Sequence, residues 1–143
     1  MDEKDKELTR FGVSMEMDLL HRFDRWLADQ GYPNRSEAIR AMVREALVLS
    51  AWRESDREVA GTITLVYDHH QRELDGWLTR VQHQWEGTIL ATTHIHLDHQ
   101  HCLEVLIVRG KPGDIRTLFG TVRGAKGVKH GQLTLSTTGE KLP

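Results

Sequence analysis

The 143-residue sequence holds one cysteine, Cys102, which excludes an intrachain disulfide framework. No apolar run approaches the ~20 residues of a membrane helix. The start, MDEKDKE, lacks the basic end and apolar stretch of a signal peptide, so a cytoplasmic protein with no membrane partner is expected. Charge of one sign is missing too: the formal net charge is -2, so no overall positive field draws in nucleic acid. Neither a GxGxxG nor a P-loop is present, and no nucleophile motif stands beside Asp68, His69 and His70, so no enzyme and no organic cofactor are expected. Aromatic residues make up 6% and charged residues 28%, a balance that favours a folded chain of one ordinary domain or two small ones. What is abundant is histidine. Five of the nine lie, with the only cysteine, between His83 and Cys102.

Residues 1–7 alternate in charge and read as a disordered tail. In Arg10–Glu16, apolar Phe11, Val13 and Met15 alternate with Arg10, Gly12, Ser14 and Glu16, the period of a half-buried strand. Asp18 is placed to cap a helix carrying Leu19, Leu20, Phe23, Trp26 and Leu27, which Gly31-Tyr32-Pro33 stops. Asn34 and Glu37 resemble a capping box before a second helix that runs to about Trp52. The strand of this strand–helix–helix unit, residues 8–54, has no partner nearby, and an unpaired strand leaves its backbone groups unsatisfied. Two copies pairing antiparallel would solve this, with Phe11, Val13 and Met15 facing the helices. Arg10, Gly12 and Ser14 would then face outward on a ribbon that fits the DNA major groove. The unit contains seven arginines, no lysine and seven acids, so binding would rest on local groups. Arg10 could reach a base edge or a phosphate, or be merely solvated. Arg35 and Ser36 begin the second helix, whose free N–H groups suit a phosphate.

Residues 58–137 read as strand (Val59–Tyr67), helix (Arg72–Trp85), strand (Ile89–Leu97), strand (Cys102–Arg109), helix (about Ile115–Val122) and strand (Val128–Ser136). This βαββαβ order is ferredoxin-like, making the whole chain α+β. His94 and His96 lie on one strand face, about 7 Å apart along it. Cys102 opens the return strand of the same hairpin. Two imidazoles and a thiolate suit nickel, copper or zinc, while strand histidines that merely hydrogen-bond locally are the plainer alternative. His83 lies opposite Leu74 on its helix, so it points to solvent or to another subunit; a metal that it holds would bridge chains.

Arg10–Ser14, GYPNRSEAIRAMVREAL (Gly31–Leu47), Val81–His83, THIHLDHQHCLEV (Thr93–Val105) and GVKHG (Gly127–Gly131) together resemble the NikR family of nickel-responsive ribbon-helix-helix transcriptional regulators. The resemblance runs from about Leu8 to Leu135. It implies a homotetramer, a dimer of dimers in which ribbon-helix-helix dimers flank four ACT-type metal domains. It further implies a square-planar Ni(II) site of His94, His96 and Cys102 from one chain and His83 from its neighbour. Such a set suits nickel or Cu(II) and suits zinc poorly. Tyr67, His69 and Glu104 fall where the family places groups around the metal.

On the DNA side the resemblance implies contacts from Arg10, Gly12 and Ser14 on the ribbon, from Asn34, Arg35 and Ser36 at the second helix start, and from Arg72. Gly12 replaces a residue that often bears a hydroxyl, leaving base readout to Arg10 and Ser14. Ala41 replaces an acid that the family often pairs with Glu37 around a second cation, which weakens that expectation here. Gln71 replaces a base beside Arg72. The expected function is repression of nickel uptake through a palindromic operator bound when Ni(II) is bound. A ribbon-helix-helix regulator sensing copper or a small organic ligand is the alternative, followed by a metal buffer without a DNA role.

Overall fold

The computed structural model describes residues 7–54, 56–71 and 73–143. Residues 1–6 of the expected tail, and Arg72, lie outside the described residues. The chain forms two compact units. One comprises the described residues up to Leu47 together with Lys141–Pro143, the other Val48–Glu140.

In the first unit, residues 7–16 make no ladder with any described strand of the chain. Phe11 and Val13 are exposed to 72% and 62%. The expected strand is therefore not formed among the described residues, because no described segment offers its backbone a partner. Helix α1 spans Met17–Asp29. Its N-cap is Glu16, with no side-chain cap, rather than the expected Asp18. Asp18 lies in the first turn, where its charge complements the helix dipole, and pairs with Arg22 at 3.3 Å. Gly31, at φ +79°, supplies the left-handed residue that ends the helix. Helix α2 spans Arg35–Ala51. Asn34 Oδ1 accepts the Glu37 N–H at 2.9 Å, which is one half of the expected capping box, while the Glu37 carboxylate pairs with Arg40.

The second unit is a sheet with helices on one face. Its elements are β1 (Val59–Asp68), α3 (Leu74–Gln84), β2 (Ile89–His96), β3 (His101–Gly110), α4 (Pro112–Arg123) and β4 (Val128–Leu135). The strand order is β2-β3-β1-β4, with every neighbour antiparallel. This is the ferredoxin-like arrangement expected from the βαββαβ order. Strand β1 alternates buried and half-buried along its whole length. Its Ile63 and Leu65 meet Leu106 and Val108 of β3 and Ile115, Leu118 and Val122 of α4 in a core where each is at most 1% exposed. Each such side chain contributes roughly 1.5–3 kcal/mol of burial.

The last turn of α2, from Val48, belongs to this second unit. Trp52 is 2% exposed, donates from Nε1 to the Ser136 carbonyl at 2.8 Å, and lies under the Arg116 guanidinium at 5.6 Å. Gly61 makes this possible, because a Cβ there would lie 2.5 Å from the Thr134 carbonyl and 3.2 Å from the Trp52 ring. The division between the two units falls inside α2, between Leu47 and Val48. Strand β2 is the sheet edge, and all but its first residue are exposed.

Candidate metal centre

Register in the sheet brings the chemistry together. Cys102 on β3 pairs with Tyr67 of β1 on one side and His96 of β2 on the other. The next row on the same face is Leu65, Glu104 and His94. Directly paired residues share a face, so His94, His96, Cys102, Tyr67 and Glu104 all lie on the helix-bearing side. Cys102 and Tyr67 are buried beneath the helices, whereas the histidines lie on the exposed edge strand.

Cys102 Sγ is 3.3 Å from His96 Nδ1. The His94 and His96 rings stand 5.3 Å apart. His94 Nδ1 shares a hydrogen bond of 3.0 Å with the Tyr67 hydroxyl. His69, just beyond β1, packs edge-on to His96 at 5.1 Å and donates from Nε2 to the His99 carbonyl. One ligand atom from each of His69, His96 and Cys102 lies within 4.8 Å of the others. Among the described residues this is the grouping of donors that forms, with His94 and His83 outside it. His83 is exposed near the end of α3, away from the buried stripe of Leu74, Leu78 and Val81. This is the outward direction expected from helical spacing.

Burial pushes the Cys102 thiol above its ordinary pKa, and the charges of Asp75, Glu104 and Asp98 add to the rise. Burial likewise holds Tyr67 well above the usual phenol range, so it stays neutral beside His94. Glu104, 5% exposed, accepts from Gln82 Nε2 at 2.8 Å. Sequence reasoning missed Gln82 and Asp75. Both lie on α3, and the signal that could have found Gln82 is its position beside His83. The hairpin that carries these donors is fixed by Asp98, whose Oδ1 accepts the Gln100 and His101 N–H groups at 2.8 and 2.7 Å. The hydrogen bond with His101 holds the Asp98 carboxyl far below the usual range.

The other expected site residues lie in the first unit. Arg10, Gly12 and Ser14 are exposed along the extended segment, and a Cβ on Gly12 would meet nothing. Ser36 is exposed at the start of α2, and the Asn34 side chain is engaged in the cap. Arg35 is also engaged: its Nε and Nη2 donate to the two Asp24 carboxylate oxygens at 2.8 Å each. Glu37 pairs with Arg40. No described helix is long and apolar enough to cross a membrane.

A thiol within hydrogen-bonding reach of an imidazole, with two further imidazoles beside it, is a donor set that fits Ni(II), which accepts nitrogen and sulfur donors in one plane. Family comparisons agree. Residues 60–136 match the NikR C-terminal nickel binding domain, and residues 9–50 match the ribbon-helix-helix proteins of the CopG family. A protein of Nitratidesulfovibrio vulgaris named as a nickel-responsive regulator is 51% identical over 133 residues, covering 93% of this chain and 96% of its own. One of Solibacter usitatus is 49% identical over 94% of this chain and 97% of its own. One of the archaeon Thermococcus onnurineus is 46% identical over 95% and 99%. With a ribbon-helix-helix DNA-binding domain followed by a nickel-binding domain across nearly its full length, the chain belongs to the NikR family of nickel-responsive regulators, which are transcriptional regulators and not enzymes.

Proposed function

We propose that this chain represses nickel uptake by binding a palindromic operator when Ni(II) is bound. In this reading the metal is held by His94, His96 and Cys102 of one chain and by His83 of a neighbour, in a homotetramer of two ribbon-helix-helix dimers working in the cytoplasm. The working domains are residues 8–54 for DNA and 58–137 for nickel and assembly. Arg10 and Ser14 read bases, with Gly12 between them. Asn34, Arg35 and Ser36 contact phosphate at the α2 N-terminus, and Arg72 approaches the backbone. Tyr67, His69 and Glu104 surround the metal.

The observation that carries the reading is the Cys102–His96 contact at 3.3 Å, with His94 on the same sheet face and His83 pointing out of its own domain. In this reading the His94–His96–Cys102 face supplies donors from one chain, and a neighbour's His83 completes the set. Nickel then acts by a population shift, binding more tightly to the arrangement in which the ribbons match two half-sites. A footprinting titration on the protein's own promoter and nearby transporter promoters, with and without Ni(II), tests this. Nickel-dependent protection that is lost in Cys102→Ala is expected. Equal protection with and without nickel would refute it.

A further inference from the structure

We infer that residues 137–143 form a splint along helix α2, and that this splint carries the metal signal across the division inside that helix. The segment is fastened to α2 at both ends. At its start the Ser136 carbonyl accepts Trp52 Nε1 at 2.8 Å, just past the last turn of α2. At its end the Pro143 carbonyl accepts Arg44 Nε at 2.7 Å. The two anchors are separated by roughly 12 Å of helix, at ~1.5 Å per residue. They bracket Leu47 and Val48, between which the two units divide. Between them the segment has a defined path. Thr137 Oγ1 accepts the Gly139 N–H at 3.0 Å and Thr138 Oγ1 accepts the Glu140 N–H at 3.4 Å, two side-chain turns in succession. Lys141 takes left-handed backbone, with φ +58°. A lysine holds that conformation only where neighbouring contacts fix the chain. Leu142, next to the Pro143 anchor, is half-buried.

Arg44 lies roughly 100–160° around α2 from Ile39, Met42 and Val43, counted at ~100° per residue. A second copy covering that apolar stripe would therefore leave the splint in place. The chain passes between the two units twice, inside α2 and at Lys141. A helix of this length standing alone is marginal, and it frays and bends at small cost. A segment fastened beside it raises that cost and narrows the arrangements open to the ribbon. Coupling between distant sites is carried by rigid elements, so a stiffer joint passes more of nickel's preference on to operator binding. The splint stands on its own contacts; its signalling role rests on the nickel-dependent operator binding proposed above.

The test compares the full-length protein with Arg44→Ala, Arg44→Lys and a chain ended at Ser136, with far-UV circular dichroism as the check on folding. Amide hydrogen exchange over residues 44–52 is measured without metal or DNA, and operator affinity is measured with and without Ni(II). In Arg44→Ala and in the shortened chain, exchange over 44–52 is expected to quicken by about fivefold, in keeping with the loss of one hydrogen bond. Alanine is the better helix former, so faster exchange in Arg44→Ala cannot come from lost helix propensity. The gain in operator affinity on adding nickel is expected to shrink by about tenfold in both. Nickel affinity without DNA is expected to stay unchanged. Arg44→Lys keeps a donor and is expected to stay closer to the full-length protein in both measurements. Unchanged exchange over 44–52 in the folded shortened chain would overturn the splint. Faster exchange with an undiminished nickel effect would overturn its signalling role. If exchange responds but nickel has no effect on operator binding even in the full-length protein, the splint would stand and the proposed function would fall.

Discussion

The two units of this chain bury their apolar residues in different ways. In the second unit Ile63, Leu65, Ile115 and Leu118 are fully buried within one chain. In the first, helix α1 buries no residue at all, and Phe11, Val13, Leu19, Met42 and Val43 are each at least half exposed. One half of the sequence carries its own core. The other writes an amphipathic pattern whose apolar side is only partly covered by its own elements, with Ala38 buried but Phe23, Leu27 and Ile39 only half-buried, beside an extended segment with no ladder. Such a surface is what a second copy would cover in the proposed ribbon dimer, and an unpaired edge invites the same solution. In the proposed assembly the second unit would bring its own core, and the first would complete its cover with a second copy.

The contrast breaks first where the second unit is weakest against truncation. Trp52→Ala removes a buried ring and its hydrogen bond to the Ser136 carbonyl. We expect a loss of about 3–5 kcal/mol in denaturant unfolding compared at one protein concentration. In the first unit the corresponding change is Val13→Asp, which puts a charge on the apolar side of the ribbon. At 62% exposure in the single chain it should leave the second unit's unfolding untouched. If a second copy covers Val13, operator affinity should fall by about a hundredfold or more, roughly the cost of burying an unpaired charge, and sedimentation should show smaller assemblies. Wild-type operator binding in this variant would mean the apolar face of the ribbon is free in the assembly.

Metal binding sharpens the comparison from the other side. Burial raises the Cys102 thiol, so it is protonated at neutral pH and must release its proton to bind metal. Nickel affinity should therefore rise with pH, by up to about tenfold per unit, and keep rising past pH ~8.5, where an ordinary thiol is already half ionised. A plateau near neutral pH, seen in competition titrations, would mean the thiol is ionised before metal arrives. The smallest effect is expected at Arg35. Its guanidinium is paired with Asp24 in the free chain, so contacting phosphate requires it to leave that partner, and Arg35→Ala should then lower the slope of log operator affinity against log salt by about one. An unchanged slope would show that it stays on Asp24 and takes no part in DNA binding.

Much of this was legible before the structure, and for identifiable reasons. The ferredoxin-like unit follows from alternation in Val59–Tyr67 and Cys102–Arg109 and from apolar stripes such as Leu74, Leu78 and Val81, because periodicity reports burial directly. The outward direction of His83 follows from the same helical geometry. His69 did not declare itself as a member of the Cys102 cluster, since its place depends on the chain's bend after Asp68 and on the carbonyl of His99, which no local pattern encodes. The Arg35–Asp24 pair joins positions on successive helices, and its geometry depends on the turn through Gly31 and Pro33. The contact of Trp52 with the Ser136 carbonyl was not legible either, because its partners stand 84 residues apart in sequence.

The central claim is that nickel is shared between chains. It is tested most directly by complementation between His83→Ala and Cys102→Ala. Each variant alone should lack the nickel–thiolate absorption. Co-refolded as a mixture, they should recover a fraction of it, because a Cys102→Ala chain can lend its His83 to the His94, His96 and Cys102 of a His83→Ala neighbour. No recovery in assemblies shown to contain both variants would contradict a cross-chain site.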